Sequence, residues 1–444
     1  RYLLEVNGRY DGSSKFAKDH RYAFFPSVSA AWRISEENFW QPLKGWWNDM
    51  KIRGSYGSLG NQVMDDLGNF PYLATYGTNS SYNYLINGSK PVIVKAPGLV
   101  APDFTWETVT QMDFGFDASF LNNRLTGTFD WYRRNTKDML VAGATLPATL
   151  GASVPKSNSA DMKTIGWELS LGWNDRLENG FSYWVKGVLS DYQATITKYA
   201  GNDAGFYSQS DGDGKYYVGQ KIGEIWGYHS NGLFQSDDEA ATIDQSELYA
   251  GKWGAGDVKY EDLDNDGKIT KGEETIYNPG DKSIIGNKTP RYQFGITVGF
   301  DYKNFDFEMF WQGTGKRDYM LSGAQFWGFT SQWDVPYTPA LDYWTETNTD
   351  AYFPRPGWQN GGNRVTSDRY LQSAAYGRLK NLTVGYTIPK NLTTKWGISR
   401  LRLYVTGENL LTITPLNDAF DPETLGGMTY PINRKVAIGL NLTL

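Results

Sequence analysis

WETVTQMDFGFDASF, residues 106–120, decides the fold. Its even positions, Trp106, Thr108, Thr110, Met112, Phe114, Phe116, Ala118 and Phe120, are six-eighths apolar; of the odd positions from Glu107 to Ser119, only Val109 is. Successive side chains of a strand point to opposite faces, so period two predicts one greasy face and one wet face. Alternation also fits a soluble β-sandwich, and length separates the two. Fifteen residues at about 3.3 Å each reach roughly 50 Å, whereas strands of globular proteins usually hold about 5 or 6 residues. A tilted membrane strand needs about 9 to 11 residues to cross the hydrocarbon. The same pattern recurs outward from this stretch. Tyr292, Phe294, Ile296, Val298, Phe300 and Tyr302 alternate with polar residues or glycine, and Val436, Ile438, Leu440, Leu442 and Leu444 alternate with Lys435, Ala437, Gly439, Asn441 and Thr443 at the chain's end.

Strands are expected at 2–10, 22–34, 50–58, 105–120, 125–139, 162–174, 181–197, 291–302, 305–316, 373–388, 400–411 and 431–444. Brief turns at Asn122-Asn123, Asn179-Gly180, Lys303-Asn304 and Pro389 to Asn391 alternate with longer links at 59–104, 140–161, 198–290, 317–372 and 412–430. Bacterial barrels carry short periplasmic turns and longer extracellular loops, which places the long links outside the cell. Link 35–49, with Trp40, Trp46 and Trp47, is long for a periplasmic turn. Composition agrees with this reading. The 444 residues include 17 Trp, 30 Tyr and 22 Phe, the rings that girdle both membrane surfaces. No run approaches the roughly 18 to 20 apolar residues of a membrane helix. A net charge of −6 offers no basis for binding nucleic acid, and zero cysteines exclude disulfides and thiolate chemistry. The chain opens at Arg1 inside a strand, without an initiator Met, a charged n-region or an apolar h-region, so a fragment is expected.

Several segments resemble the SusC/RagA family of TonB-dependent outer-membrane transporters. They are AFFPSVSAAWRISEENFW (23–40), LPATLGASVPKSNSADMKTIGWELSLGW (146–173), GDVKYEDLDNDGKIT (256–270), DKSIIGNKTPRYQFGITVGFDYKNFDFEMFWQG (281–313), and GRLKNLTVGYTIPKNL with GISRLRLYVTGENLLTIT (377–414). They run in order through essentially the whole chain. The resemblance implies an all-β transmembrane antiparallel barrel, of which this chain holds about 12 C-terminal strands of roughly 22, closed by an N-terminal plug that is not in this chain. It also implies energy delivered by the TonB–ExbB–ExbD complex, a SusD-like surface lipoprotein over the mouth, and import of an oligosaccharide or, in some members, a peptide. The final Gly439 to Leu444 is similar to a barrel-assembly signal, with leucine where an aromatic usually stands.

Within the 198–290 link, Asp262, Asp264, Asp266, Lys268, Thr270 and Glu273 fit the D-x-[DN]-x-[DN]-G-x5-E calcium loop. The alternate carboxylates converge on one hard cation, Gly267 allows the sharp turn, Lys268 lends its carbonyl and Glu273 closes the sphere. An ion-free Asp/Asn/Gly turn fits the same residues. The preceding Gly254 to Tyr260 reads as extended, so no full EF-hand is expected, and Ca²⁺ there would be structural. The 317–372 link is aromatic. Trp327, Trp333, Tyr343 and Trp344 are candidates for partner or ligand contact, and internal packing is the alternative. Glu107, Asp113, Asp117, Asp130, Asp306 and Glu308 fall on the lumen face, where they are expected to be solvated or to touch the plug. Arg133 falls in the lipid-facing register, near enough to the outer interface to snorkel. His20 and His229 are the only histidines. With no Ser-His-Asp, H-E-x-x-H or Walker pattern in the sequence, no enzyme is expected. A passive porin or adhesin barrel and a secreted carbohydrate-binding β protein remain as competing readings.

Overall fold

The computed structural model describes the chain except residues 63–67, 80–84, 87, 91, 102–103, 144–146, 148, 150, 153, 208–214 and 426–429. One antiparallel sheet of twelve strands, joined in chain order, runs through it. The strands are β1 (Tyr2–Gly12), β2 (Tyr22–Arg33), β3 (Trp47–Asn61), β4 (Glu107–Phe120), β5 (Leu125–Ala142), β6 (Lys156–Arg176), β7 (Ser182–Tyr199), β8 (Arg291–Tyr302), β9 (Phe305–Lys316), β10 (Tyr376–Thr387), β11 (Arg400–Ile413) and β12 (Lys435–Thr443). Every expected strand is present. Several are longer than expected, and β6 reaches 21 residues. Alternation fades where a strand leaves the membrane for a polar setting, so the sequence understates those ends.

The registers confirm the two faces. Phe114 lies opposite Trp131 and Phe116 opposite Phe129, and the stacked pairs point outward with Phe114 53% exposed. The final stripe of Val436, Ile438, Leu440, Leu442 and Leu444 is likewise exposed. No water-soluble fold leaves an apolar surface of this extent uncovered, whereas acyl chains solvate it. Trp106 is an exception to the expected stripe. It precedes the first residue of β4 and turns inward onto Phe16, Phe25 and Phe104, donating its indole N–H to the Arg21 carbonyl at 3.1 Å.

The tight turns have the backbone their sequences demand. Asn122 and Asn123 have φ of 58° and 63°, and Lys303, in the two-residue turn between β8 and β9, has 54°. Such left-handed residues match the twist of the flanking strands. The long periplasmic link folds into two 3₁₀ segments, Ile34–Glu36 and Asn38–Leu43. Trp40 is buried there against Trp47 at 4.6 Å between ring centroids, and Trp47 stacks on Phe120 at 5.0 Å. Its length builds an aromatic foot on the periplasmic rim.

Three of the extracellular links are not independent loops. Tyr228, Val258, Tyr260 and Ile269 from 198–290, Phe326, Phe353 and Tyr370 from 317–372, and Leu416 and Leu425 from 412–430 share one buried core. Ribbons tie it together: Glu224–Tyr228 with Lys282–Asn287, Ser230–Leu233 with Val258–Tyr260, and Asp318–Met320 with Leu371–Ser373. The sheet therefore carries a folded cap on its extracellular end.

Candidate functional site: the lumen wall and the extracellular cap

The inward register of adjacent strands brings together charges that lie far apart in sequence. Arg53 on β3 is opposite Gly115 on β4, which is opposite Asp130 on β5. With no side chain at Gly115, the guanidinium reaches across it to Asp130 at 2.7 Å, with Asp117 at 3.3 Å and Asp113 at 3.6 Å. Lys51 holds Asp117 from the other side at 2.7 Å. Toward the periplasm, Arg402 grips Asp306 bidentately, with one bond at 2.8 Å, across Gly385. Four of the six acids expected to be solvated or plug-bound, Asp113, Asp117, Asp130 and Asp306, thus have cationic partners in the wall, supplied by neighbouring strands, whereas Glu107 accepts from the Asn61 amide and the Leu140 N–H at 2.8 Å each. A Cβ on Gly115 would stand 2.8 Å from the Phe129 carbonyl oxygen and 2.9 Å from the Arg53 guanidinium carbon. Gly115→Val is therefore expected to cost about 1–3 kcal/mol by overpacking. It should lower the temperature at which the folded, fast-migrating band is lost on a gel.

Near the extracellular end, Arg378 is buried on the inward face and bonds Thr412 at 2.8 Å, Asp421 at 2.6 Å and Glu423 at 3.1 Å. Lys380 joins Glu423 at 2.8 Å. The 412–425 part of the 412–430 link thus folds against the lumen wall and does not stand away from it.

In the cap, Asp257 is 1% exposed and accepts from Arg355 at 2.9 and 3.2 Å, from Asn363 at 2.8 Å and from the Gly254 N–H at 3.0 Å. Tyr260 donates its hydroxyl to the Gly362 carbonyl at 2.7 Å. These bonds fasten the 198–290 link to the 317–372 link. Three of the four aromatic candidates serve the same packing. Trp327 meets Tyr370 at 4.6 Å, and Tyr343 and Trp344 lie half-buried against the core. Trp333 differs: it stands 84% exposed, near exposed Val335, Tyr337 and Leu341.

His229 occupies an arrangement that the sequence concealed. Its Nδ1 lies 2.8 Å from an Asp368 carboxylate oxygen and its Nε2 lies 2.7 Å from the Ser283 hydroxyl. Asp368 also accepts the Ser230 N–H at 2.9 Å. The order resembles a hydrolase triad, but Ser283 sits within a ribbon paired with Gly227 and not on a turn that gathers N–H donors. What the arrangement does is tie three cap segments through one ring.

The acid-rich loop is organised around Asp262. Its carboxylate accepts N–H bonds from Asn265 at 2.7 Å, Asp266 at 3.2 Å and Gly267 at 2.8 Å, the last permitted by Gly267 at φ 84°. Desolvation opposes ionisation of Asp262, but these donors outweigh it and hold the carboxyl below its usual range. Asp264 is raised, first by desolvation and then by the charges of Asp266 and Asp281, despite the Asp266 N–H. Ligand oxygens of Asp262, Asp264 and Asp281 lie within 4.8 Å of one another. The acid that joins the first two is thus Asp281, fully buried and held by the Leu263 and Thr270 N–H groups at 2.7 Å each. Glu273 is exposed, and its N–H bonds the Asn278 carbonyl. Asp266 accepts the Lys268 N–H at 2.8 Å, and Thr270 joins the loop through the bond of its N–H to Asp281.

A wall that is greasy outside, ion-paired inside and capped at one end defines an outer-membrane β-barrel. Residues 1–410 match the family of TonB dependent receptor-like β-barrels, and the chain belongs to that family. A TonB-dependent receptor of Formosa agariphila is 30% identical over all of this chain and 44% of its own length. The TonB-dependent receptor SusC of Bacteroides thetaiotaomicron is 28% identical over all of this chain and 42% of its length. The chain therefore spans less than half the length of these relatives. Among solved structures, the RagAB peptide importer in its closed-closed state superposes with a TM-score of 0.78 over 99% of this chain and 46% of that one, at 23% identity. That likeness shows the fold.

Proposed function

We propose that the full-length protein imports an oligosaccharide across the outer membrane, energised by TonB–ExbB–ExbD through its plug and covered by a SusD-like lipoprotein. The observation that carries the cargo class is the ion pairing of four cations within the wall and its outer rim. Arg53, Arg378, Lys380 and Arg402 are each matched by carboxylates of this chain, which favours an uncharged, polyhydroxylated cargo over one needing fixed counter-charges. A peptide is the second reading, favoured by the structural likeness to a peptide importer. Deleting the gene should abolish growth on the matching oligosaccharide and leave growth on peptides intact; the reverse pattern selects the peptide. The exposure of Trp333 supports it as a contact for the lipoprotein. Trp333→Ala is expected to weaken co-purification of that partner by about tenfold or more, the size of an interface anchor, with the barrel still folded.

The loop around Asp262 suits a structural Ca²⁺, held by Asp262, Asp264 and Asp281 with the Lys268 carbonyl nearby in sequence. A chelator should speed proteolysis of the cap, and Asp281→Asn should remove the calcium dependence. Protons compete at Asp264, whose carboxyl is raised, so calcium protection is expected to fade as pH drops through its range and to return as pH rises.

A further inference from the structure

We propose that Arg133, Lys137 and Lys163 form a membrane-facing site for the phosphate groups of an outer-leaflet lipid. The register fixes which way they face. Arg133 lies opposite Met112 on one side and Ile165 on the other, Lys137 lies opposite Thr108, and Lys163 lies opposite Asn135. All belong to the outward, apolar set of their strands, whereas Arg53 and Arg402 belong to the inward set. Directly below on this outer face come Trp131 beside Trp167 and Phe129 beside Leu169. At about 3.3 Å per residue on strands tilted about 45°, the three cations stand roughly 20 to 30 Å above the periplasmic end of β5. An apolar band about 25 Å tall gives way to headgroups at that height.

Their pairing is as informative as their position. Inward-facing Arg53, Arg378, Lys380 and Arg402 hold carboxylates, yet among the described residues none of these three forms an ion pair. Arg133 is exposed and donates its Nε–H only to Asn135, at 3.2 Å, which leaves its terminal nitrogens free of any carboxylate. Lys137 is exposed and Lys163 half-buried. The acids adjoining in sequence, Asp138 and Asp161, belong to the bulge where β5 and β6 lose register, and Asp161 accepts the Asp138 N–H at 2.9 Å. Three cations on neighbouring strands, uncompensated beside hydrocarbon, are costly unless anionic headgroups neutralise them. Long side chains snorkelling from one patch can converge on a phosphate, with the Arg133 guanidinium suited to bidentate contact.

The test uses full-length protein purified in detergent and native mass spectrometry against bisphosphorylated lipid A, with phosphatidylethanolamine as the zwitterionic comparator. Each cation near an anionic surface is worth about fivefold in affinity, so R133Q/K137Q/K163Q is expected to bind lipid A on the order of a hundredfold more weakly at low salt. R134Q, one residue along β5 and inward-facing, is expected to bind as the wild type does. Heat-modifiable migration checks that each barrel is folded. Should the triple variant not assemble, K137Q and K163Q singly are expected to lose about fivefold each. Equal lipid A binding by wild type and the folded variants, or an equal loss in R134Q, overturns the proposal.

Discussion

Arg355→Ala is expected to open the extracellular cap to proteases while the barrel below stays folded. Removing the guanidinium strands the Asp257 carboxylate, 1% exposed, with only Asn363 and the Gly254 N–H for company. Breaking a buried pair by deleting one partner costs about 3–5 kcal/mol; Arg355 is itself partly solvated, so the lower end applies. The loss falls on the junction between the 198–290 and 317–372 links, and cleavage there should speed by about a hundredfold at that cost. Lys252→Ala is the contrast. Its bond to Asp237 at 2.6 Å lies between exposed side chains, and such surface pairs are worth about 0–1 kcal/mol. Limited proteolysis of the two variants, with the barrel followed by gel migration, separates a cap held by one buried pair from a set of loosely tethered loops.

The second large effect concerns the outer wall. Ile296, 40% exposed, stands near the middle of β8 between outward-facing Trp311 and Gly187, and its neighbour Thr297 faces the lumen. Ile296→Arg places a charge near the bilayer midplane at a cost of about 2–4 kcal/mol, whereas Thr297→Arg keeps the charge in the wet interior. Folding into vesicles should fail or slow markedly for the first and proceed for the second. One residue's displacement along the strand changes only the face, so equal outcomes would contradict the two-faced wall.

Period two made the barrel legible because each outward side chain reports the same solvent whatever its strand partner. All twelve strands could therefore be placed, and only their ends shifted. What escaped the sequence depends on register or on tertiary packing. Nothing local says that Arg53 meets Asp130 across Gly115, since the three sit on separate strands. Trp106 fits the outward pattern by position and breaks it because the strand has not yet begun. The metal motif led to Glu273, but the chain returns through Gly280 to bring Asp281 to Asp262 and Asp264. His229 looked isolated because Ser283 and Asp368 reach it from distant segments. The cap's aromatics could be counted from the sequence, but only the folded core separates packed Trp327, Tyr343 and Trp344 from exposed Trp333.

The membrane-facing stripe is tested most directly on β4. The chain has no cysteine, so single cysteines can be introduced one at a time from Gln111 to Ser119 in the full-length protein, tagged with a fluorophore and reconstituted with brominated acyl chains. Strong quenching at positions 112, 114, 116 and 118, with weak quenching at 111, 113, 115, 117 and 119, is the predicted result. Quenching without alternation, or strongest at Asp113 and Asp117, would contradict it.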